Sequence, residues 1–163
     1  MSYSAFSAFE HIASGSLSQV YTASSQIPDC VIFDRETGRV VDVDPRFPPK
    51  DDGPRPGRPK LGVTPREVTL LPRHWDWLAI QPGGASVALR KLVEEASRHP
   101  RARQRQLRDA TYRLATALVG NAPGYEEAMR ALYAGAAEDF AACIEAWPPD
   151  VRVLLEEMTA DAF

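Results

Sequence analysis

The sequence predicts an α+β fold. We expect a small N-terminal sheet with one helix, a proline-rich linker, and a strand-helix-helix unit continuing into a C-terminal helical bundle. Three observations lead to this prediction. Two short apolar runs flank a polar, glycine-containing loop near the N-terminus, as in a β-hairpin. A dense set of prolines follows. Beyond it, apolar residues recur at helical spacing between glycine and proline breakers.

Residues 1–47 are predicted to form the small α+β domain. Aromatic and small residues alternate over residues 3–9, which favours a strand or hairpin before Gly15. Ser16 and Gln19 have the spacing of a capping box, in which each residue's side chain bonds the other's backbone amide. We therefore expect a helix from there to about Ser25.

The hairpin is predicted at residues 30–44. The strand-like runs are residues 30–33 and 40–44, and the loop between them contains Gly38. Glycine at this place supplies the positive φ that a type I turn followed by a bulge requires.

Residues 48–64 are predicted to be an extended linker and the main domain boundary. Seven prolines lie between Pro45 and Pro65. Proline has no amide proton, so this stretch cannot sustain a helix or a hydrogen-bonded ladder.

Residues 65–99 are predicted to form the strand-helix-helix unit. The strand covers residues 66–71, and Pro72 suits the first turn of the first helix. Two further signals place the second helix: a Pro-Gly-Gly break and Ser86 as its cap. The predicted inward faces are Trp75, Leu78 and Trp77 in the first helix, and Leu89, Leu92, Val93 and Ala96 in the second.

Residues 100–163 are predicted to be a helical bundle. Its first helix follows Pro100 and ends before Gly124. Three shorter helices are expected at residues 125–133, 138–147 and 150–158, separated by Gly135 and a proline pair.

The net charge of −3 conceals a basic centre. Residues 55–113 contain 13 Arg or Lys and 5 Asp or Glu, whereas the two flanks together carry a charge of −11. Such a pattern suits a nucleic-acid surface, but it also suits basic and acidic segments that neutralise each other.

No motif for chemistry is present. The three histidines and two cysteines lack metal-ligand spacing, and there is no phosphate loop, dinucleotide fingerprint or nucleophile elbow. We expect no enzyme activity, no cofactor and no metal. No apolar run is long enough to span a membrane and no signal peptide is evident, so a cytoplasmic location is expected.

Several stretches resemble a known bacterial family. They are GRPKLGVTPREVTLLPRHWDWLAIQPGGASVALRKLVEEA, VIFDRETGRVVDVD, PGYEEAMRALYAG and AWPPDVR. The chain resembles the family catalogued as domain of unknown function 2239, which brings little functional knowledge.

Residues 66–96 also resemble a ribbon-helix-helix module, a DNA-binding fold in which two chains pair one strand each. The resemblance implies a homodimer whose paired strands read bases and whose second helix presents its first amides to a phosphate. In one strand register Arg66 faces the groove, and in the other Thr69 does. Neither register supplies a typical set of base-reading side chains.

Two further basic features are candidates for DNA contact. The run RPGRPK at residues 55–60 resembles an AT-hook, and a flexible basic linker is the alternative interpretation. Arg101, Arg105 and Arg108 share a helix face that suits phosphates, and ion pairs to the acidic C-terminal helices are the alternative. The predicted DNA-binding residues are Arg55, Arg58, Lys60, Arg66, Thr69, Arg73, Gly84, Ser86, Arg101 and Arg105.

The functional prediction is a DNA-binding transcriptional regulator that acts as a dimer. The alternative is a non-catalytic module that binds an acidic protein partner.

Overall fold

The computed structural model describes residues 2–50 and 62–163. The chain divides into two compact units, one formed by residues 1–51 with 103–163 and the other by residues 52–102. The described elements are β1 (Tyr3–Ser7), β2 (Glu10–Gly15), α1 (Leu17–Ser24), β3 (Cys30–Asp34), β4 (Arg39–Val41), α2 (Pro72–Ala79), α3 (Gly84–Arg98), α4 (Pro100–Val119), α5 (Tyr125–Ala134), α6 (Ala137–Ile144) and α7 (Pro149–Thr159). The α+β fold class is confirmed.

The four strands form one antiparallel sheet in the order β2-β1-β3-β4. The predicted hairpin is its β3–β4 pair. Gly38 has φ +67° and donates its amide to the Asp34 carbonyl over 2.8 Å, which closes the turn. The glycine therefore has the conformation that the sequence predicts.

Helix α1 covers one face of the sheet. It begins with the predicted capping box: the Gln19 amide donates to Ser16 Oγ over 3.3 Å, and the Ser16 amide donates to Gln19 Oε1 over 3.0 Å. Val20 of this helix is buried with Ala5 and Ile32 of the sheet. Because successive strand residues point to opposite faces, Phe6 and Phe33 face the other way.

The C-terminal helices cover that other face. Phe6 and Phe33 share one core with buried side chains of α4 to α7, including Leu114, Leu132 and Leu155. The sequence predicts separate domains for residues 1–47 and 100–163, whereas the structure packs described residues of both segments into one core. A sheet has two apolar faces to cover, and α1 is large enough for only one.

In the second unit, α2 begins at Pro72 as predicted. The predicted strand over residues 66–71 is not formed, because residues 62–71 belong to no helix or strand. The predicted cap is also wrong. Gly83 is the N-cap of α3, and the helix begins at Gly84, so Ser86 lies within its first turn.

The three C-terminal helices lie where the sequence predicts them, within two or three residues at each end. Among residues 2–50 and 62–163, no helix combines the length and the hydropathy that a membrane crossing requires.

Candidate nucleic-acid interface

An extended segment precedes the helix pair α2–α3, and we call residues 62–71 the arm. Its side chains are exposed except for Leu70, which is half-buried, so Arg66 and Thr69 both reach solvent. No backbone hydrogen bond joins residues 62–70 to another part of the described chain. Within the described part of the chain, the carbonyls of residues 62–70 and their amides, except at Pro65, therefore have no backbone partner and can pair with a second strand. The Leu71 carbonyl already accepts from His74 and Trp75.

The helices that follow the arm leave large apolar side chains in solvent. Leu78 is buried, as predicted, but Trp75 and Trp77 are 41% and 49% exposed, so the prediction that they face inward is wrong. On α3, Leu92 is 44% and Val93 65% exposed. The helices thus have the apolar side chains that the periodicity predicts, but the described part of this chain leaves several of them in solvent.

The start of α3 offers fewer free amides than the sequence suggests. The Gly84 amide already donates to the Gln81 carbonyl over 2.9 Å. The amides of Ala85 and Ser86 are the ones left in the first turn to meet an anion. Ser86 itself is exposed.

The arginines of this region divide into those with and those without an ion-pair partner in the described part of the chain. The side chains of Arg66, Arg73 and Arg101 are exposed, and none has a partner among the residues that the structure describes. Arg98 pairs with Glu94 one turn earlier on α3. The free guanidinium groups are the ones able to contact phosphate without first breaking an ion pair.

Helix α4 carries further arginines into the first unit. Arg105 is exposed and has no partner within the described ranges. Arg103 pairs with Asp161 over 3.2 Å, and Arg108 donates to the Ala162 carbonyl over 2.8 Å. The predicted phosphate-tracking face therefore loses Arg108, which holds the C-terminal residues against α4.

Three of the predicted DNA-binding residues, Arg55, Arg58 and Lys60, lie outside the described residues, as does the whole AT-hook-like run.

The first unit contains a polar groove of about 310 Å³ that the sequence analysis missed, between β2 and α7. His11 Nε2 lies 2.7 Å from Ser14 Oγ, and the His11 amide donates to Asp150 over 2.9 Å. Arg35 pairs with Glu157 over 2.6 Å. The His11–Asp150 and Arg35–Glu157 contacts join residues more than 100 positions apart and attach the N-terminal segment to α7. In residues 2–50 and 62–163, no three His, Cys, Asp or Glu side chains are grouped as metal ligands.

Comparison with known proteins gives one match. The model of a family described as an uncharacterized protein conserved in bacteria, DUF2239, matches residues 47–159. No curated protein and no solved structure matches the chain. The family match begins 15 residues before the arm, covers the arm, α2 and α3 completely, and extends through α4, α5 and α6 to the end of α7. The chain belongs to the DUF2239 family.

Proposed function

We propose that this protein is a DNA-binding transcriptional regulator that acts as a dimer through the arm and α2–α3. The observation that carries the proposal is an arm whose residues 62–70 have no backbone partner in the described part of the chain, directly followed by a helix pair whose apolar side chains are exposed. In a ribbon-helix-helix dimer, a partner chain satisfies both needs, by pairing the strand and by covering the helices. No catalytic role is part of the proposal.

The charges of the second unit support DNA as the ligand. Residues 62–102 contain six Arg or Lys and four Asp or Glu. Two of the cations without partners, Arg66 and Arg101, lie near the two ends of this range. A dimer doubles this set of free cations. Contacts of arginine with phosphate release counterions, and this release provides affinity that does not depend on the base sequence.

Selection of particular sequences requires contact with base edges. In this proposal the paired arms enter the major groove with the face that carries Arg66, and this arginine can donate two hydrogen bonds to guanine. Thr69 then lies on the opposite face of the paired arms. The amides of Ala85 and Ser86, in the first turn of α3, bind a neighbouring phosphate and fix the orientation of the dimer.

The proposal is tested by anisotropy titration of labelled genomic fragments with the full-length protein over a series of salt concentrations. Arg101→Ala should weaken binding to every fragment several-fold and make the plot of log K against log salt less steep by about 2, because the dimer loses two phosphate contacts. Arg66→Ala should weaken binding several-fold and most strongly for the preferred fragments, because it removes base contacts. Arg130→Ala is the matched control, because Arg130 is equally exposed but pairs with Glu127 on α5. We expect it to bind as wild type.

Two results would contradict the proposal. One is the absence of DNA binding at about 50 mM salt, where phosphate contacts are strong. The other is equal weakening by all three variants, since that would reflect net charge alone. Either result would favour the alternative, a module that binds an acidic protein partner.

A further inference from the structure

We propose that Ser14 is a nucleophile and His11 its general base, in a site that hydrolyses esters of small acyl groups. The site is the polar groove between β2 and α7, and it lies wholly within the first unit. This activity lies outside the proposed function and does not depend on DNA binding.

A β-bulge in β2 brings the two side chains together. Residues three apart in a regular strand point to opposite faces of the sheet. Ser14 of β2 pairs with Ser4 of β1, and its neighbour pair joins His11 to Phe6. These partners are two residues apart on β1, so β2 has one extra residue over this stretch, Ile12. Ser14 and His11 therefore face the same side as Phe6, towards the C-terminal helices. The sequence alone gives no sign of this contact.

The hydrogen bonds at Ser14 suit a nucleophile. Its Oγ lies 2.7 Å from His11 Nε2, within the reach that a nucleophile and its base require. On the other side it lies 2.8 Å from the Oγ of Ser4, which is fully buried. When Ser4 donates to Ser14, the proton of Ser14 is directed to His11 Nε2. The Ser4 hydroxyl then stabilises the negative charge that develops on Ser14 Oγ.

Two contacts hold the base in place, and neither uses its ring nitrogens. The His11 amide donates to Asp150 Oδ2 over 2.9 Å, which fixes the backbone at the edge of the groove. The imidazole packs edge-on against Phe6, with the ring centroids 5.3 Å apart, and this contact limits its rotation. Asp150 thus positions the base through the backbone, and the reacting groups are a Ser–His pair.

Arg35 supplies the positive charge that the reaction needs. It lines the same groove, and its Nη2 donates to Glu157 over 2.6 Å. A guanidinium has further N–H donors, which can bond the oxyanion of a tetrahedral intermediate. The ion pair with Glu157 holds the Arg35 side chain in the groove while those donors act.

The size and exposure of the groove indicate the substrate class. Its volume of about 310 Å³ admits a small acyl group, and Val153 and Leu154 of α7 give it an apolar wall. Ser14 and His11 are exposed, so the leaving group departs into water. An ester suits such an open site better than an amide does, because an alcohol leaves more readily than an amine.

The reaction is acyl transfer to water. Ser14 Oγ forms a bond to the ester carbonyl carbon while its proton passes to His11 Nε2. The carbonyl re-forms, the bond to the alcohol oxygen breaks, and the alcohol leaves with the proton from His11. A water molecule, deprotonated by His11, then attacks the acyl carbon. The bond to Ser14 Oγ breaks, this oxygen regains the proton, and the carboxylic acid is released.

The test measures hydrolysis of p-nitrophenyl acetate by the full-length protein, together with labelling by a fluorophosphonate probe that reacts with activated serines. We expect turnover of the ester and a label on Ser14, located by peptide mass spectrometry. Ser14→Ala and His11→Gln should each lower kcat/KM about a hundredfold or more, since a positioned base contributes at least that much. Both variants should also lose the label.

Two matched controls separate this site from other hydroxyl and imidazole groups. Ser25→Ala removes an exposed serine at the end of α1, and His74→Gln removes an exposed imidazole of α2. Neither residue lines the groove, so both variants should hydrolyse the ester as wild type does. Far-UV circular dichroism and urea unfolding establish that each variant is folded.

Three results would each overturn the proposal. The first is a wild-type chain that does not hydrolyse the ester. The second is a label on a serine other than Ser14. The third is turnover that requires His11 but not Ser14, because the imidazole would then act without a nucleophile. Labelling of the wild-type protein decides the matter even if Ser14→Ala, which leaves buried Ser4 without its partner, fails to fold.

Discussion

A substitution of Gly38 tests whether the hairpin and α4 belong to one core. Gly38 lies in the β3–β4 turn, is buried, and has φ +67°. A Cβ added there would lie 1.9 Å from the carbonyl oxygen of Ala110 on α4, whereas real Cβ atoms essentially never approach another heavy atom within 3.0 Å. Gly38→Ala therefore forces the turn and the helix apart by about 1 Å.

The expected loss of stability has two parts. A side chain in the left-handed region costs about 1–2 kcal/mol. Overpacking against a rigid helix backbone costs about 1–3 kcal/mol more. We therefore expect Gly38→Ala to lower the free energy of unfolding by about 3 kcal/mol.

Gly124→Ala is the control, because Gly124 has φ +75° but its added Cβ would lie 3.6 Å from the nearest atom, the Cys143 carbonyl oxygen. Gly124→Ala should therefore lower the free energy of unfolding only by the cost of a side chain in the left-handed region, about 1–2 kcal/mol. Urea unfolding can be followed by the fluorescence of the buried Trp147, with Trp75 and Trp77 replaced by Phe. Equal losses for the two alanine variants would refute the close approach of the turn to α4.

Three further predictions concern the first unit. Ser16→Ala should cost about 1 kcal/mol in urea unfolding through loss of the capping box, whereas Ser18→Ala, two residues later in the first turn of the same helix, should cost less. Burial, with the hydrogen bond that Tyr133 donates to Asp109, raises the pKa of Tyr133 from 10 to about 12. The unfolded chain loses this proton first, so stability should fall as the pH rises from 10 towards 12, and Asp109→Asn should lower the tyrosinate titration midpoint measured by ultraviolet absorbance. Arg108→Ala should lower stability by about 1–3 kcal/mol in the same unfolding assay, because two backbone carbonyls lose a charged donor, but it should leave any DNA affinity unchanged.

Local signals in the sequence predict much of this fold. The capping box, the turn at Gly38 and the start of α2 at Pro72 each depend on a few adjacent residues, whose backbone preferences are independent of the rest of the chain. The same holds for the ends of the C-terminal helices, where Gly124 and Gly135 adopt positive φ.

Contacts between distant segments could not be predicted in this way. Nothing near His11 indicates that its amide will meet Asp150, 139 residues later. The placement of Ser86 fails for a related reason. Serine is a common helix cap, but Gly83 and Gly84 both adopt positive φ and let the chain turn into α3 earlier. The exposure of Trp75 and Trp77 could not be predicted from the sequence either, because periodicity identifies an apolar face without identifying what covers it.

The second unit buries little apolar surface of its own, and this shortage bears on the order in which the proposed complex forms. Among the described residues of the range 62–102, only Leu78 and Ala88 are buried apolar residues. Helices as short as α2 and α3 gain most of their stability from packing, and so little burial provides little of it. Phosphates and base edges are polar and cannot cover Leu92 or Val93. In the proposed complex, a protein surface therefore covers the helices first, and DNA then binds to arms and cations that the dimer already holds in place.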